Sequence, residues 1–279
     1  MTETPLTDQV RNRLSLLPIA QNAAAGRWRT EAMRSHSSAR LIYISRGQGR
    51  ITVAGLTSGY GPNNLIFIPG NTMYGFEVGA GVFGLMLAIP RAMEGEWPEE
   101  TVHLRLKDVV AQKEIASLFD QLERELNSQK AGHARAAHYH LGLLAVFFER
   151  QLDQRPAEPG DARSHSAAAR LVAAYTDLVE RDYHQGKGVA DYARALGVTP
   201  THLTRCCKQT CGRSALALLN DRVLFEARRL LRETRTPVQD IAQSLGFSSA
   251  AYFSRAFLAR AGATPSAFRR AGAAPARAG

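Results

Sequence analysis

Two short segments carry the residue types that grip or read a nucleic acid. One holds Thr201, His202, Thr204 and Arg205; the other holds Ala250, Ala251, Ser254 and Arg255. A guanidinium fork donates two hydrogen bonds to one guanine edge, a hydroxyl or imidazole gives one, and a methyl only touches thymine or follows shape. The first segment is therefore expected to carry more of the hydrogen-bond readout. The same guanidinium, posed differently, clamps phosphate and conveys no sequence. Three cysteines lie nearby, Cys206, Cys207 and Cys211. Cys207 and Cys211 share the i, i+4 spacing of a helix face, as do His202 and Cys206. The two pairs point from different faces and no Cys-x-x-Cys pair exists, so no metal site is expected. Nor is an odd cluster a disulfide framework; small buried core residues are the simpler reading. A redox role would need a depressed thiol pKa. No residue set reads as catalytic, and no cofactor is expected.

What must position the two segments is an internal repeat. Val189–Gly197 (VADYARALG) recurs as Val238–Gly246 (VQDIAQSLG), 49 residues on. Leu203-Thr204-Arg205 then matches Phe253-Ser254-Arg255 at an offset of 50, and Gly212 matches Gly262. Each copy reads as a helix-turn-helix unit, about 189–208 and about 238–259. Ala193 and Ala242 are small where a second helix must come close. Gly197 and Gly246 suit a left-handed turn, and Val198 and Phe247 plug the corner. Thr199, with Pro200 at N1, and Ser248 are the expected N-caps. The following helix buries Leu203 and Cys207, or Phe253 and Phe257, and turns the opposite side outward as a recognition helix does.

Charge points the same way. The chain of 279 residues has a formal net charge of +10. Residues 1–160 hold 17 Lys+Arg against 16 Asp+Glu, and residues 161–279 hold 18 against 9. A near-neutral half thus precedes a basic half suited to a polyanion. Arg228, Arg229, Arg232 and Arg235 are read as a solvated face of the helix joining the two units, with phosphate contact as the sharper alternative.

The second repeat also carries Ala227, Leu230-Leu231, Thr236-Pro237-Val238, Ile241-Ala242, Gly246-Phe247, Tyr252-Phe253-Ser254-Arg255, Phe257, Gly262, Thr264-Pro265 and Phe268-Arg269. On these residues, 170–270 resemble the AraC/XylS family of bacterial transcription regulators. The resemblance implies two recognition helices in successive major grooves on one face of a double-stranded DNA operator. It also implies a sensor domain responsive to a small-molecule effector, and RNA polymerase as a partner if the protein is an activator. Cys206-Cys207 departs from the family's usual apolar-Phe pair, and Leu258 from a common Lys; the first departure should loosen the core of the first unit.

Before the linker, strands are expected over about 36–90: Arg40–Ser45, Arg50–Ala54, Leu65–Ile68, Phe76–Val78 and Val82–Ile89, separated by Gly, Pro and Asn. Helical spacing takes over at 109–152, interrupted at Gly132. The expected fold is α+β and multidomain: a cupin-like antiparallel β-barrel with two following helices over 1–152, a polar linker at 153–166, and an all-α double helix-turn-helix over 167–279. The barrel resembles, more weakly, the sensor domain that many family members place first. Trp28, His36, Tyr43, Tyr60, Tyr74 and Phe76 are expected to line its effector pocket. Arg40, Arg46 and Arg50 are read as surface charge, with a carboxylate-gripping role open. His36 stands without the His-x-His of metal cupins. The two helices suggest a homodimer.

No segment offers the ~20 apolar residues of a spanning helix, and the opening residues hold acids and no apolar core of a signal peptide. No membrane partner is expected, and the location expected is cytoplasmic. The function expected is a sequence-specific DNA-binding regulator. Its competitors are a non-specific basic architectural protein and a cupin enzyme with an appended DNA-binding domain.

Overall fold

Strand β2 (Arg40–Arg46) has apolar residues on both faces, Leu41 and Tyr43 alternating with Ile42 and Ile44, all buried. Such a strand must lie between two layers. In the computed structural model, which describes residues 13–19, 28–79, 81–154 and 166–273, it does. Leu41 and Tyr43 face a helical layer, while Ile42 and Ile44 face a second sheet. Strands β1 (Ser15–Pro18), β5 (Asn64–Ile68), β7 (Phe83–Ala88) and β8 (Val102–Arg105) complete an antiparallel sheet in the order β1-β7-β2-β5-β8. Strands β3 (Gly49–Val53), β4 (Leu56–Tyr60) and β6 (Tyr74–Phe76) form the second, in the order β4-β3-β6.

The expected strands are present, with the one placed at 76–78 found at 74–76. The strands β1, β4 and β8 were not anticipated. The LTSGY of β4 shows no alternation; it is a strand because the two-residue turn at Ala54 and Gly55, both at positive φ, folds it back on β3.

Helix α1 (Trp28–Glu31) is a single turn leading into the first sheet. Helices α2 (Val109–Asn127) and α3 (His133–Asp153) pack on the outer face of the five-stranded sheet, burying Ile115, Phe119, Leu141 and Phe148 against Tyr43 and Phe67. Gly132, in the left-handed region, caps α3 at the break between them. Of the expected linker, 155–165 lies outside the described residues.

The remainder is helical: α4 (Ala167–Asp182), α5 (Val189–Ala195), α6 (Pro200–Cys211), α7 (Ala215–Glu233), α8 (Val238–Ser244), α9 (Ala250–Ala261) and α10 (Pro265–Ala273). Helix α7 belongs to two cores. Its first turns, with Ala215, Leu218 and Leu219, join α4, α5 and α6. Its last turns, with Ala227 and Leu231, join α8 and α9.

A buried ion network pins α7 to α4. Arg222 is 4% exposed and donates to both oxygens of Glu180, at 2.6 and 3.0 Å, and to Glu226 at 3.3 Å. Its guanidinium lies 3.9 Å over the Tyr183 ring. Arg229 closes the network onto Glu226 and Glu233.

The helical half sits on the outer face of the three-stranded sheet, on the far side of that half from α2 and α3. Gly55 at the β3–β4 turn meets Val172 of α4 so closely that a Cβ there would fall 2.3 Å from its Cγ1. Met33 and Met73, both 1% exposed, join the core of the first helix-turn-helix unit. Trp28 packs on Phe225 and Phe268, at centroid distances of 5.7 and 6.0 Å. The core that has Cys207 where the second unit has Phe257 is thus extended by two methionines from the sheet half. Cys207 itself is fully buried.

Candidate nucleic-acid interface

In the first unit, α5 ends at a turn whose Val198 amide donates back to the Ala193 carbonyl at 3.0 Å, with Gly197 at φ +68°. In the second, the Phe247 amide donates to the Ala242 carbonyl at 3.0 Å, with Gly246 at φ +77°. The same bond in both copies is the structural content of the repeat: an αL residue turns the chain, and the small Ala lets the next helix approach. The caps match as well. Thr199 accepts from the His202 amide at 3.2 Å. In the second copy the cap is Ser249, accepting from the Tyr252 amide at 3.2 Å, and not the expected Ser248. Ser248 is one extra turn residue, which is why the repeat offset steps from 49 to 50. Both recognition helices end on a left-handed glycine, Gly212 and Gly262.

With Leu203, Cys206 and Cys207 buried, α6 presents Thr201, Arg205, Lys208 and Gln209 as exposed residues, and His202 and Thr204 as half-buried ones. With Phe253 and Phe257 buried, α9 presents Ala251, Tyr252 and Arg255, with Ala250 and Ser254 half-buried. All eight expected positions lie on the solvent side or its flank. Tyr252, 54% exposed beside Phe247, joins them; the sequence reading missed it because an aromatic at helical spacing looks like core. Arg205 Nη2 donates to His202 Nδ1 at 3.0 Å, which leaves the Nε2 hydrogen toward Cys206 Sγ at 3.6 Å. His202 and Arg205 therefore act as a pair. Arg255 makes no side-chain hydrogen bond or ion pair among the described residues, so its five donors are open to a ligand.

Most other described cations of this half touch neighbouring groups, which corrects the solvated-face reading for Arg228 and Arg229, while Arg232 and Arg235 are exposed as expected. Arg229 is ion-paired, Arg228 lies 5.5 Å over Trp28, and Arg232 lies 4.5 Å over Phe268. Only Arg235 of the four is exposed with no side-chain partner among the described residues. Arg213 is held by Asp221, and Arg269 by the carbonyls of Leu231 and Thr236. Among the described residues, Arg205, Lys208, Arg255 and Arg260 place basic charge on the exposed faces of α6 and α9, and Arg232, Arg235 and Arg270 are exposed elsewhere on this half.

The two units are fixed relative to each other. Gly246 rests on Gly186, the left-handed residue just before α5; a Cβ on Gly246 would lie 2.2 Å from the Gly186 nitrogen.

The cysteines are buried. Burial pushes the Cys207 thiol up to about 12 and raises that of Cys211, the opposite of what a reactive thiolate requires. Among the described residues no group of three His, Cys, Asp or Glu is placed to hold a metal ion, and no helix is long and apolar enough to cross a membrane.

The six residues expected to share an effector pocket do not meet in one place. Tyr60, Tyr74 and Phe76 lie in the apolar interior between the two sheets, and the His36 ring is 5.9 Å from Tyr74. Tyr43 points the other way and stacks on Phe119 of α2 at 5.2 Å. Trp28 is at the seam with the helical half. The sequence reading passed over Arg34. It is 3% exposed, 4.5 Å over the Tyr74 ring, and donates to the carbonyls of Thr30 and Ala32, with no acidic partner among the described residues. Of the candidate carboxylate grips, Arg40 is buried and bonded to Ser38 and Ala39, and Arg46 packs on Phe83.

Two family models match the chain: an AraC-like ligand binding domain over residues 19–144 and a helix-turn-helix domain over residues 192–271. Both parts of the chain are thus similar to AraC-type regulators. Among curated relatives, the arabinose operon regulatory protein of Escherichia coli strain K12 is 35% identical over 81 residues, covering 29% of this chain and 28% of that protein. The transcriptional regulator GlxA of Rhizobium meliloti is 33% identical over 120 residues, covering 41% and 37%. The transcriptional activator RhaS of Escherichia coli O9:H4 is 28% identical over 174 residues, covering 62% and 58%. The matches therefore span less than two thirds of the length of these relatives.

Proposed function

We propose that this chain is a cytoplasmic, sequence-specific transcription regulator without enzymatic activity, which binds a DNA operator through α6 and α9 and responds to a small-molecule effector. The observation that carries this is the pair of matched recognition helices held by the Gly186–Gly246 contact, whose exposed residues include the cations Arg205, Lys208, Arg255 and Arg260. A rigid pair can address successive major grooves on one DNA face. Arg205→Ala and Arg255→Ala are each expected to cost about 1–3 kcal/mol on the preferred sequence and far less on random DNA. Equal losses on both, measured by fluorescence anisotropy, would instead assign these residues to phosphate.

The division into 1–152, a linker at 153–166, and 167–279 is part of this proposal. So is its mechanism, in which the sheet half restrains the helical half. The strap from Trp28 to Arg34 links them: Trp28 rests on α7 and α10, Met33 enters the first unit's core, and Arg34 covers Tyr74 at the barrel interior. An effector that displaces Arg34 from Tyr74 would pull on Met33 and Trp28 and shift the DNA-competent population. RNA polymerase is the further partner if the protein activates.

A homodimer is supported by α3. Tyr139, Leu143 and Val146 are 67%, 52% and 41% exposed along one outer stripe, on the side of the sheet half away from the helical half. Leu143→Asp is expected to shift the sedimentation coefficient from dimer to monomer without unfolding the chain; an unchanged dimer would put the interface elsewhere.

A further inference from the structure

The seam between the two halves contains a cleft of about 650 Å3. It lies outside the barrel interior, because Ile51 and Val53 of β3 point inward while Arg50 and Thr52 point out to the cleft. The opposite wall is Arg213 and Arg228 of the helical half, with Trp28 between.

Two arginines here make no side-chain hydrogen bond or ion pair among the described residues, although Arg228 also lies over the Trp28 ring. Arg228 Nε is buried with no hydrogen-bond acceptor, and burial lowers its pKa, only partly offset by Asp221. Asp221 cannot serve it fully, being taken by Arg213 and by the Met33 amide. Arg50 makes no side-chain hydrogen bond or ion pair among the described residues. Glu31, half-buried, and Glu77, exposed, also reach the cleft, but neither bonds the half-buried Arg228 guanidinium among the described residues, and its buried Nε stays without an acceptor. A buried guanidinium N–H without an acceptor costs stability that a fold has no reason to spend on packing alone. A bound oxyanion would satisfy it by a charge-assisted bond, and a cleft of this volume admits an organic molecule and not merely a bare ion.

We propose that this cleft binds a small organic carboxylate or phosphate, held by Arg228 from the helical half and Arg50 from the sheet half, with Trp28 against its body. Such a ligand joins the two halves and stabilises their docked arrangement by mass action. The site is distinct from the barrel interior, and its test contains no DNA, so its failure would leave the regulator reading untouched.

The chain has two tryptophans, so Trp97→Phe leaves Trp28 as the only indole reporter. The full chain in this background is titrated at constant ionic strength with citrate and, separately, with glycerol 3-phosphate. At least one is expected to give a saturable change in Trp28 emission at low-millimolar concentration and to raise the melting temperature. Arg228→Met should weaken that response about tenfold or more, the loss of one charge-assisted bond. Arg228→Lys, which lacks the fork, should weaken it less, and Arg235→Met, outside the cleft, should leave it unchanged. If Arg228→Met unfolds by circular dichroism, the exposed Arg50→Met carries the same comparison. Absence of saturation with both anions, or equal titrations for the cleft variant and Arg235→Met, overturns the proposal.

Discussion

Arg222→Ala is expected to destabilise the helical half by about 3–5 kcal/mol, the cost of removing one member of a buried ion network and stranding the others. Glu180 would lose both its donors from α7, and Glu226 would keep only Arg229. Arg222→Met, which keeps the stem but not the fork, should be nearly as harmful, because the stranded carboxylates dominate. Urea denaturation monitored by circular dichroism measures both. The network also sets an acid limit. Burial alone would raise the Glu226 carboxyl, but Arg229 and Arg222 outweigh it and hold it below the usual carboxylate range. A group lowered in the folded state stabilises the fold above the unfolded carboxylate range, and that contribution disappears as pH falls through the folded value. Stability should therefore fall below about pH 4–5, and Glu226→Gln should flatten that limb while lowering stability at neutral pH.

The second large effect separates two glycines that look equivalent in the repeat. Gly197→Ala and Gly246→Ala both place a Cβ on a left-handed residue, at ~1–2 kcal/mol. At Gly197 nothing lies within 4 Å of that Cβ, whereas at Gly246 it would overlap the backbone of Gly186 and Gln185. Backbone cannot swing aside, so Gly246→Ala should cost a further ~1–3 kcal/mol and displace α9 relative to α6. Affinity for a two-part site should then fall more for Gly246→Ala than for Gly197→Ala. Parallel denaturation and DNA titrations decide it; equal losses would mean that the Gly186 contact does not set the spacing of the two helices.

The repeat was legible because helix-turn-helix physics is local: a small residue, a left-handed glycine, a corner plug and a cap, in order. Its one misplaced feature, Ser248 for Ser249, arose where the offset changed within two residues and either serine could cap. The strand pattern at Arg40–Ile44 was equally plain, but parity cannot say which face is the interior. Tyr43 was therefore grouped with Tyr74, although it faces α2. Long-range choices left no local trace. Arg34 sits in the polar stretch EAMRSHSSAR and is buried only because Tyr74 comes under it. Arg228 of α7 looks like part of a solvated face until Trp28, remote in sequence, packs against it. Strand β4 depends on a turn rather than on its own residues.

The central claim is that α6 and α9 read DNA together as one rigid pair. Binding selection from random double-stranded DNA with the full chain tests it most directly. The expected result is enrichment of two half-sites whose centres lie about one helical turn, ~10–10.5 base pairs, apart on one face. Arg205→Ala should relax preference in one half-site and Arg255→Ala in the other. Enrichment of a single half-site, or of no sequence at all, would contradict it.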